Sequence, residues 1–456
     1  MEGSGFVVHL FVCWGIRVPD RRGAYYERRA GVGDDHAGVF LSVDRLTCAT
    51  RASGTISGRY PEIQDEGVPL RILVLTGIFP TTPTSFRGNF VLDQVLALRE
   101  CGCGITVAVA QAFVPPGSDR DRSRRIDLES YGSTGLYIER LHYFSLPKNG
   151  LGSLASPFMF FQLCHRLASL IKHVDAQIIH AHDEYPGYVA VRLARRLGLR
   201  SGITLHGINS PWMFDTDRKR QQLAWTLEHA DRVFLVGDAI ASHFSSYVRS
   251  TNNFRVVYNG HRIPLDITPS VRLERKARWR LVGVANLGET KGFQYVIRAL
   301  ADIELSKPGL MELVIVGGGV YEPVLRHLTA DLRLSHIVHF TGELPHREAL
   351  AEVAAGDIFC LPSYNEAFGL AYVEAMALGK LAIACATQGP EAFITHGVTG
   401  FLVEPRSHLS VEQVLLEAIS SSQLSDIRKA GQKYVINNLR WEQNANRVIE
   451  AYSEAA

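Results

Sequence analysis

Short apolar runs alternate with longer amphipathic stretches over most of the chain from about residue 70 onward. Residues 71–76 read Arg-Ile-Leu-Val-Leu-Thr, a continuous run typical of a strand buried on both faces of a parallel sheet. After a loop rich in Gly, Pro, Thr and Ser, residues 90–100 repeat apolar side chains at helical spacing. A second apolar run at 105–110 completes a β-α-β unit, so the pattern predicts an α/β fold.

This alternation continues to residue 258, stops, and starts again at residue 279. Further strands are predicted at 178–181, 202–205, 232–236, 255–258, 279–285, 313–316, 337–340, 358–361, 381–384 and 401–403, with helices at 157–173, 187–197, 218–229, 291–304, 321–331, 347–355, 368–378 and 441–452. The chain has 456 residues, too many for one core, which usually stops growing near about 250 to 300 residues.

Two α/β domains are therefore predicted. The predicted organisation is a poorly ordered N-terminal extension at 1–68, a first Rossmann-like domain at 69–262, a linker at 263–277 that contains two prolines, a second Rossmann-like domain at 278–435, and a C-terminal helix at 436–456.

Composition narrows the classes of function. Apolar residues make up 46% and charged residues 21% of the chain, which is ordinary for a globular protein. A formal net charge of only +2 lacks the basic footprint of a nucleic-acid binder and favours a small-molecule substrate. Seven cysteines without a C-x-x-C pair favour a reducing cytoplasm, and no apolar run reaches the roughly 18 to 20 residues that span a bilayer.

The strongest candidate for chemistry is a pair of carboxylates, Glu366 and Glu374, which stand eight positions apart where a predicted strand and loop lead into a helix. Eight residues are a little over two helical turns, so both side chains can face one cleft at the carboxyl end of a parallel sheet. The alternative is a helix-start acid and a solvated side chain. Glu374 lies within the apolar stretch Ala371–Met376, which predicts that it is buried. A buried carboxylate is costly without a partner, so this position favours a functional role over a solvated side chain.

Around this pair the chain resembles the retaining GT-B glycosyltransferases of family 4, whose second domain carries an E-x7-E motif of this form. Further segments match that family in order: Leu287–Phe293, Val314–Gly319, Phe340–Glu343, Gly389–Glu391 and Gly397–Val403. The resemblance covers roughly residues 70–456. It implies two Rossmann-like domains that face each other across a cleft, with a C-terminal helix that crosses back to the first domain.

The resemblance also implies an activity. A sugar would move from a nucleotide diphosphate donor to a glycan, lipid-linked or small-molecule acceptor, with retained anomeric configuration, and no metal or other cofactor would be needed. The implied donor-binding residues are Gly88, Asn286, Lys291, Phe368, Gly369, Leu370 and Glu374, and the implied catalytic residues are His206, Glu366 and Lys291.

These implied roles have structural alternatives. Lys291 resembles the family lysine at the leaving diphosphate, whereas Asn286 occupies the usual position of a neighbouring arginine; a lysine before a glycine is otherwise a solvated charge. His206 follows a buried strand in an H-G pair, where a packed or capping histidine is the alternative. Gly88 resembles the family glycine that lets backbone approach phosphate, and it is otherwise an ordinary loop glycine.

Other motifs suggest alternatives that the sequence disfavours. His180 and His182 share one strand face and could simulate a metal site, and the triplets Asp119–Asp121 and Asp215–Asp217 read as surface charge because neither follows a buried strand. A nicotinamide enzyme would need G-x-G-x-x-G after the first strand, which is missing. A non-catalytic nucleotide-sugar binder remains the second alternative, with Asn286 as its only sign.

The acceptor side is the least specified part of the sequence. Pro157–Phe161 fits either the start of a core helix or a contact with a membrane that carries lipid-linked acceptors. We therefore expect a cytoplasmic protein, with a peripheral position at the cytoplasmic face of the membrane as the alternative.

Overall fold

The computed structural model describes residues 70–82, 85, 88–113, 126–145, 154–207, 216–264 and 266–454. The predicted extension at 1–68 lies outside these ranges, and so do Asp119, Asp121 and Asp215. Asp217 is described, and its carboxylate pairs with Arg220.

A parallel sheet forms the first half of the described chain. Its strands are β1 (Arg71–Thr76), β2 (Gly104–Ala112), β3 (Tyr137–Tyr143), β4 (Ile178–His182), β5 (Arg200–Leu205), β6 (Arg232–Leu235) and β7 (Phe254–Val256). The helices between them are α1 (Asn89–Glu100), α2 (Ala155–His173), α3 (Glu184–Leu197), α4 (Asp217–His229) and α5 (Asp238–Ser245). The spatial order is β3-β2-β1-β4-β5-β6-β7. Central strands such as β1 and β4 are buried along almost their whole length, as the continuous apolar runs predict.

A second parallel sheet follows residues 266–278, which contain neither helix nor strand. Its strands are β8 (Trp279–Val284), β9 (Met311–Val316), β10 (Val338–Gly342), β11 (Ile358–Leu361), β12 (Leu381–Cys385) and β13 (Phe401–Val403). The helices are α6 (Phe293–Ser306), α7 (Glu322–Asp331), α8 (His346–Ala355), α9 (Leu370–Ala377), α10 (His408–Ser420), α11 (Leu424–Asn438) and α12 (Trp441–Ser453). The spatial order is β10-β9-β8-β11-β12-β13. The predicted two-sheet α/β architecture is confirmed, whereas the exact domain limits stay predictions.

Each sheet has one point at which the strand order changes direction. In the first sheet β1 pairs with β2 on one side and β4 on the other, and in the second sheet β8 pairs with β9 and β11. At such a point the loops leave in opposite directions and open a crevice at the carboxyl ends of the strands. The loops after β1, β4, β8 and β11 are therefore the expected ligand-binding loops.

Helix α12 returns to the first sheet, as predicted. The Tyr452 hydroxyl lies 2.7 Å from Nδ1 of His180, and Gln94 donates to Asn444 at 2.8 Å. Tyr452 crosses β5 so closely that a Cβ on Gly202 would overlap its hydroxyl. This helix thus ties the end of the chain to the core of the first sheet.

Several predicted element boundaries are wrong by a few residues. The helix predicted at 291–304 is a 3₁₀ turn at Glu289–Lys291 followed by α6, because Gly292 adopts φ 78° and interrupts the helix. Helix α9 begins two residues later than predicted, since Gly369 adopts φ 90°. Strand β7 ends at Val256, not at residue 258. Strand β3 and the helices α5, α10 and α11 were not predicted from the sequence.

No helix within the described ranges combines the length and the hydropathy required to span a lipid bilayer.

Candidate functional site

Two loops meet at the point in the second sheet where the strand order changes. The loop after β8 carries Lys291 and the loop after β11 carries Glu366, and Nζ of Lys291 lies 2.9 Å from Oε2 of Glu366. The Tyr364 N–H donates to the Thr290 carbonyl at 3.0 Å and joins the two loops directly. Both charged side chains are mostly covered, with 25% of Lys291 and 15% of Glu366 exposed, so their attraction is less screened than on an open surface.

The glycine that opens α9 shapes the same crevice. Gly369 caps the helix in a left-handed conformation, and a Cβ there would come within 2.5 Å of the Tyr372 ring. The preceding Phe368 is 2% exposed and stacks on Tyr258 of the first domain, with ring centroids 5.7 Å apart. The first N–H groups of a helix lack intrahelical partners and favour negative charge nearby. In α9 the N–H of Leu370 is one of these groups.

Glu374, one turn further along α9, is held by a histidine. Its Oε1 lies 2.8 Å from Nε2 of His346, the first residue of α8. Burial disfavours protonation of His346, but the hydrogen bond and the charge of Glu374 outweigh burial, so the pKa of His346 is raised above its ordinary value. The sequence predicts a buried Glu374, and in the structure 22% of its side chain is exposed, so it is only partly buried.

Asp93, a carboxylate of the first domain, lies near Glu374 and His346. Burial raises the pKa of Asp93 on α1 to about 6, against the attraction of Arg262, and the nearby charge of Glu374 adds to the rise. Arg262 also binds Glu100 through two hydrogen bonds of 2.8 Å. Charged groups of both domains therefore meet beside α9, which sequence spacing gave no sign of.

Asn286 lies at the edge of the crevice and is exposed. The glycine loop after β9 packs on the neighbouring backbone, because Leu287 N–H donates to the Gly318 carbonyl at 2.9 Å. A Cβ on Gly319 would lie 2.8 Å from Oδ1 of Asn286. The glycines thus let one loop lie directly on the other, and the Asn286 side chain remains accessible to solvent.

The carboxyl edge of the first sheet carries Gly88 and two histidines. Gly88 adopts φ 86° where the chain enters α1, and a Cβ there would lie 3.2 Å from the backbone of Phe79. Nε2 of His206, which follows β5, lies 2.8 Å from Nδ1 of His182 at the end of β4. Burial lowers the pKa of His206 to about 3, and the neighbouring His180 adds to this. The sequence alone suggested a candidate metal ligand at His182 and gave no sign of its contact with His206.

The metal interpretation of the paired histidines finds no support in their contacts. Both ring nitrogens of His180 lie within hydrogen-bond distance of hydroxyl groups, those of Tyr452 and Thr204. Over the part of the chain that the structure describes, no three His, Cys, Asp or Glu side chains are grouped as a metal ion would require.

Two protein-family models match the chain, one over each sheet. The model described as Glycosyltransferase Family 4 matches residues 88–263, and the model described as Glycosyl transferases group 1 matches residues 268–434. Together they cover most of both sheets, although β1 and most of the loop after it precede the first match.

Individual relatives agree with these models. Glycogen synthase from Mycobacterium tuberculosis is 24% identical over 401 residues, which are 85% of this chain and 95% of that protein. GDP-mannose-dependent alpha-(1-6)-phosphatidylinositol monomannoside mannosyltransferase of the same species is 28% identical over 256 residues, 50% of this chain and 66% of that protein. Among solved structures, HepE from Anabaena in complex with UDP-glucose matches with a TM-score of 0.65 and 20% identity, over 84% of this chain and 100% of that chain.

Proposed function

This chain belongs to the group 1 and family 4 glycosyltransferases, which use nucleotide-sugar donors, and we propose that it transfers the sugar with retained anomeric configuration at the crevice between Lys291 and the start of α9. The ion pair of Lys291 with Glu366 carries this proposal, because it places a cation and a hydroxyl acceptor side by side at the ligand-binding edge of the second sheet. The family match supports a glycosyltransferase over a nicotinamide-dependent oxidoreductase.

The donor's diphosphate would lie against Lys291 and the N-terminus of α9. An ammonium group has three donors, so Lys291 can bind phosphate oxygens and retain Glu366. The backbone amides that open α9, with Gly369 as its cap, supply further donors without a side chain in the way. Charge that develops on the departing diphosphate would thus be stabilised by groups already in place.

Glu366 and Glu374 would orient the rest of the donor. Glu366 would accept hydrogen bonds from the hydroxyls of the transferred sugar, and Glu374 from the ribose. His346 already binds Oε1 of Glu374, which leaves Oε2 available for the ribose and restricts rotation of the carboxylate. His206 and Gly88 would approach the reacting groups from the first sheet. Positioning and closure of the two domains over the donor would supply the remaining rate enhancement.

A donor screen with a matched control tests this assignment. We expect one of the UDP-, GDP- or ADP-sugars to raise the melting temperature of the parent protein, and transfer or slow hydrolysis of that donor to follow. Lys307→Ala is the control, because Lys307 is an exposed lysine before β9, at the opposite edge of the same sheet. Equal activity of Lys291→Ala and Lys307→Ala, or binding without any turnover, would contradict the proposal; the latter would favour a non-catalytic binder.

For the acceptor we propose a lipid-linked molecule at an anionic membrane surface. The aromatic patch that supports this consists of Phe113, Phe144, Phe158 and Phe161, whose exposed fractions run from 36% to 63%. Exposed apolar patches commonly mark protein or membrane contacts. Met159 and Phe160 of the same helix are buried, so the predicted membrane segment divides between core and surface.

The aromatic patch lies at the carboxyl end of the first sheet, and hydrogen bonds join two of its segments. Gln162 of α2 accepts a hydrogen bond from the Phe144 N–H at 2.8 Å and donates to its carbonyl at 3.1 Å. Phe113 follows β2, and its ring centroid lies 5.3 Å from that of Phe144, which follows β3. The patch therefore lies at the same end of the first sheet as His182 and His206, the end that carries the proposed reaction centre.

Charge in the flanking sequence selects an anionic surface. The adjoining segments 114–125 and 146–153, outside the described residues, contain Arg120, Arg122, Arg124, Arg125 and Lys148 against two aspartates. Basic residues beside aromatic side chains strengthen binding to anionic lipids.

Vesicle sedimentation tests the acceptor proposal separately from the donor site. Binding to phosphatidylglycerol vesicles should exceed binding to phosphatidylcholine vesicles and should fall in Phe144→Ser and Phe161→Ser. Leu305→Ser is the matched control, because Leu305 is 88% exposed on α6 of the other domain. Equal vesicle binding by all three variants would remove the membrane surface from the account.

A further inference from the structure

Two histidines at the carboxyl ends of neighbouring strands, the buried His182 and the half-buried His206, form a pair beside the first-sheet crevice. The ring planes of His182 and His206 are nearly parallel, 11° apart with centroids separated by 5.1 Å, and Nδ1 of His182 lies 2.8 Å from Nε2 of His206. The pairing follows from the parallel register, since His182 lies opposite Thr204, two residues before His206.

The outer nitrogens of this pair have no partner. Nε2 of His182 and Nδ1 of His206 are both buried, and neither makes a hydrogen bond with any described residue. His180, two residues earlier on β4, differs in this respect, because both of its ring nitrogens have hydroxyl partners. Buried polar nitrogens are normally satisfied, so both outer nitrogens are available to a bound substrate or to water.

Hydrogen-bond counting couples the two rings. A neutral imidazole carries one N–H and one lone pair, so only one of the two inner nitrogens donates in the shared hydrogen bond. If His182 donates from Nδ1, His206 accepts at Nε2 and must carry its own proton on Nδ1. If His206 donates instead, its Nδ1 is a bare acceptor. The direction of one hydrogen bond therefore decides what His206 presents to a substrate.

We propose that His182 is a positioning residue whose Nδ1–H donates to Nε2 of His206, so that His206 presents an Nδ1–H donor to the oxygens of the bound donor or acceptor. This rests on the proposed function, which places His206 at the reaction centre. The departing phosphate oxygen gains negative charge, and a preorganised N–H directed at that oxygen would stabilise the charge.

The low pKa values of both histidines favour a hydrogen-bond donor over a general base at His206. Burial and the neighbouring imidazoles hold the pKa of His182 well below its usual value, and burial lowers that of His206 to about 3. Both rings are therefore neutral near pH 7. A group with so low a pKa is a poor general base at that pH, whereas its N–H remains an effective hydrogen-bond donor.

A double-mutant cycle tests the coupling. His182→Leu should lower kcat roughly tenfold, the size expected for losing one hydrogen bond, with little change in KM for the donor. His182→Gln should recover most of that loss, because its amide can donate to His206. In a His206→Ala background His182→Leu should cost nothing further, since its effect passes through His206. His180→Gln is the control, and its effect should be the same in both backgrounds.

The outcomes separate this inference from the proposed function. If His206→Ala transfers sugar like the parent, His206 is not at the reaction centre and its proposed role fails. If His206→Ala loses transfer but His182→Leu lowers it a further tenfold in that background, only the positioning role of His182 is overturned. Nitrogen-15 chemical shifts can be measured on the parent protein, so this test does not depend on the folding of a variant. They should show His206 protonated on Nδ1. Protonation on Nε2 instead would overturn the proposal.

Discussion

Removal of the Lys291 ammonium should nearly abolish transfer. In Lys291→Ala the diphosphate loses a charge-assisted hydrogen bond, worth about 1.5 to 3 kcal/mol. Loss of a donor aimed at developing negative charge typically lowers kcat by about 10²- to 10³-fold. The change also leaves Glu366, which is only 15% exposed, without its cation and close to the anionic diphosphate. We therefore expect a loss at the upper end of that range.

Asn286 makes this prediction sharper than in an enzyme with two cations at the diphosphate. No arginine stands beside Lys291 at that position, and Asn286 is exposed. Asn286→Arg should therefore tighten binding of the nucleoside diphosphate product, and should partly restore binding when combined with Lys291→Ala.

Initial-rate kinetics and titration calorimetry with the matching nucleoside diphosphate measure both effects. Lys307→Ala, at the far edge of the sheet, controls for the loss of one positive charge. If Lys291→Ala binds diphosphate and turns over donor like the parent, the phosphate site lies elsewhere and the assignment of this loop is wrong.

Three further predictions concern the paired glutamates, Asp93 and the contact between Gly202 and α12. Glu366→Ala should lower kcat about 10²- to 10³-fold, whereas Glu374→Ala should mainly raise KM for the donor; equal, negligible effects would return both to a surface role. The pKa of Asp93 is raised from 3.8 to about 6, so its contribution to stability is complete below pH 3.8 and is lost as pH rises through about 6. Asp93→Asn should therefore flatten the profile of melting temperature against pH between these two values. An unchanged profile would refute the burial of this carboxyl group. Gly202→Ala should lower the melting temperature by several degrees, because its Cβ overlaps the Tyr452 hydroxyl, and a stability equal to the parent's would show that α12 is not held there.

The sequence predicted most of the fold because buried parallel strands are continuous apolar runs. β3 escaped detection since it lies at the edge of its sheet and buries only Ile138 and Leu141 of its seven residues. Its pattern is therefore weaker than that of a central strand. Glycine positions were easier to recognise than their effects: Gly292 and Gly369 were noticed in motifs, but their left-handed conformations, which shift the helix starts, depend on loop packing.

Contacts between distant residues account for what the sequence did not predict at the site. The Glu374 partner, His346, lies 28 positions away, and His182 and His206 are 24 positions apart. Neither pair has a local motif, since each forms only when separate strands and helices align. Asp93 reaches the cluster from another domain altogether. Motif spacing suggested the two carboxylates and the family resemblance suggested Lys291, whereas the groups that contact them became visible only in the structure.

A crystal structure with the bound nucleoside diphosphate of the preferred donor tests the central claim most directly. The account predicts a phosphate oxygen within hydrogen-bond distance of Nζ of Lys291 and of the amides that open α9, with the ribose hydroxyls at Glu374. A diphosphate bound at the first sheet, or anywhere out of reach of Lys291 and α9, would contradict it.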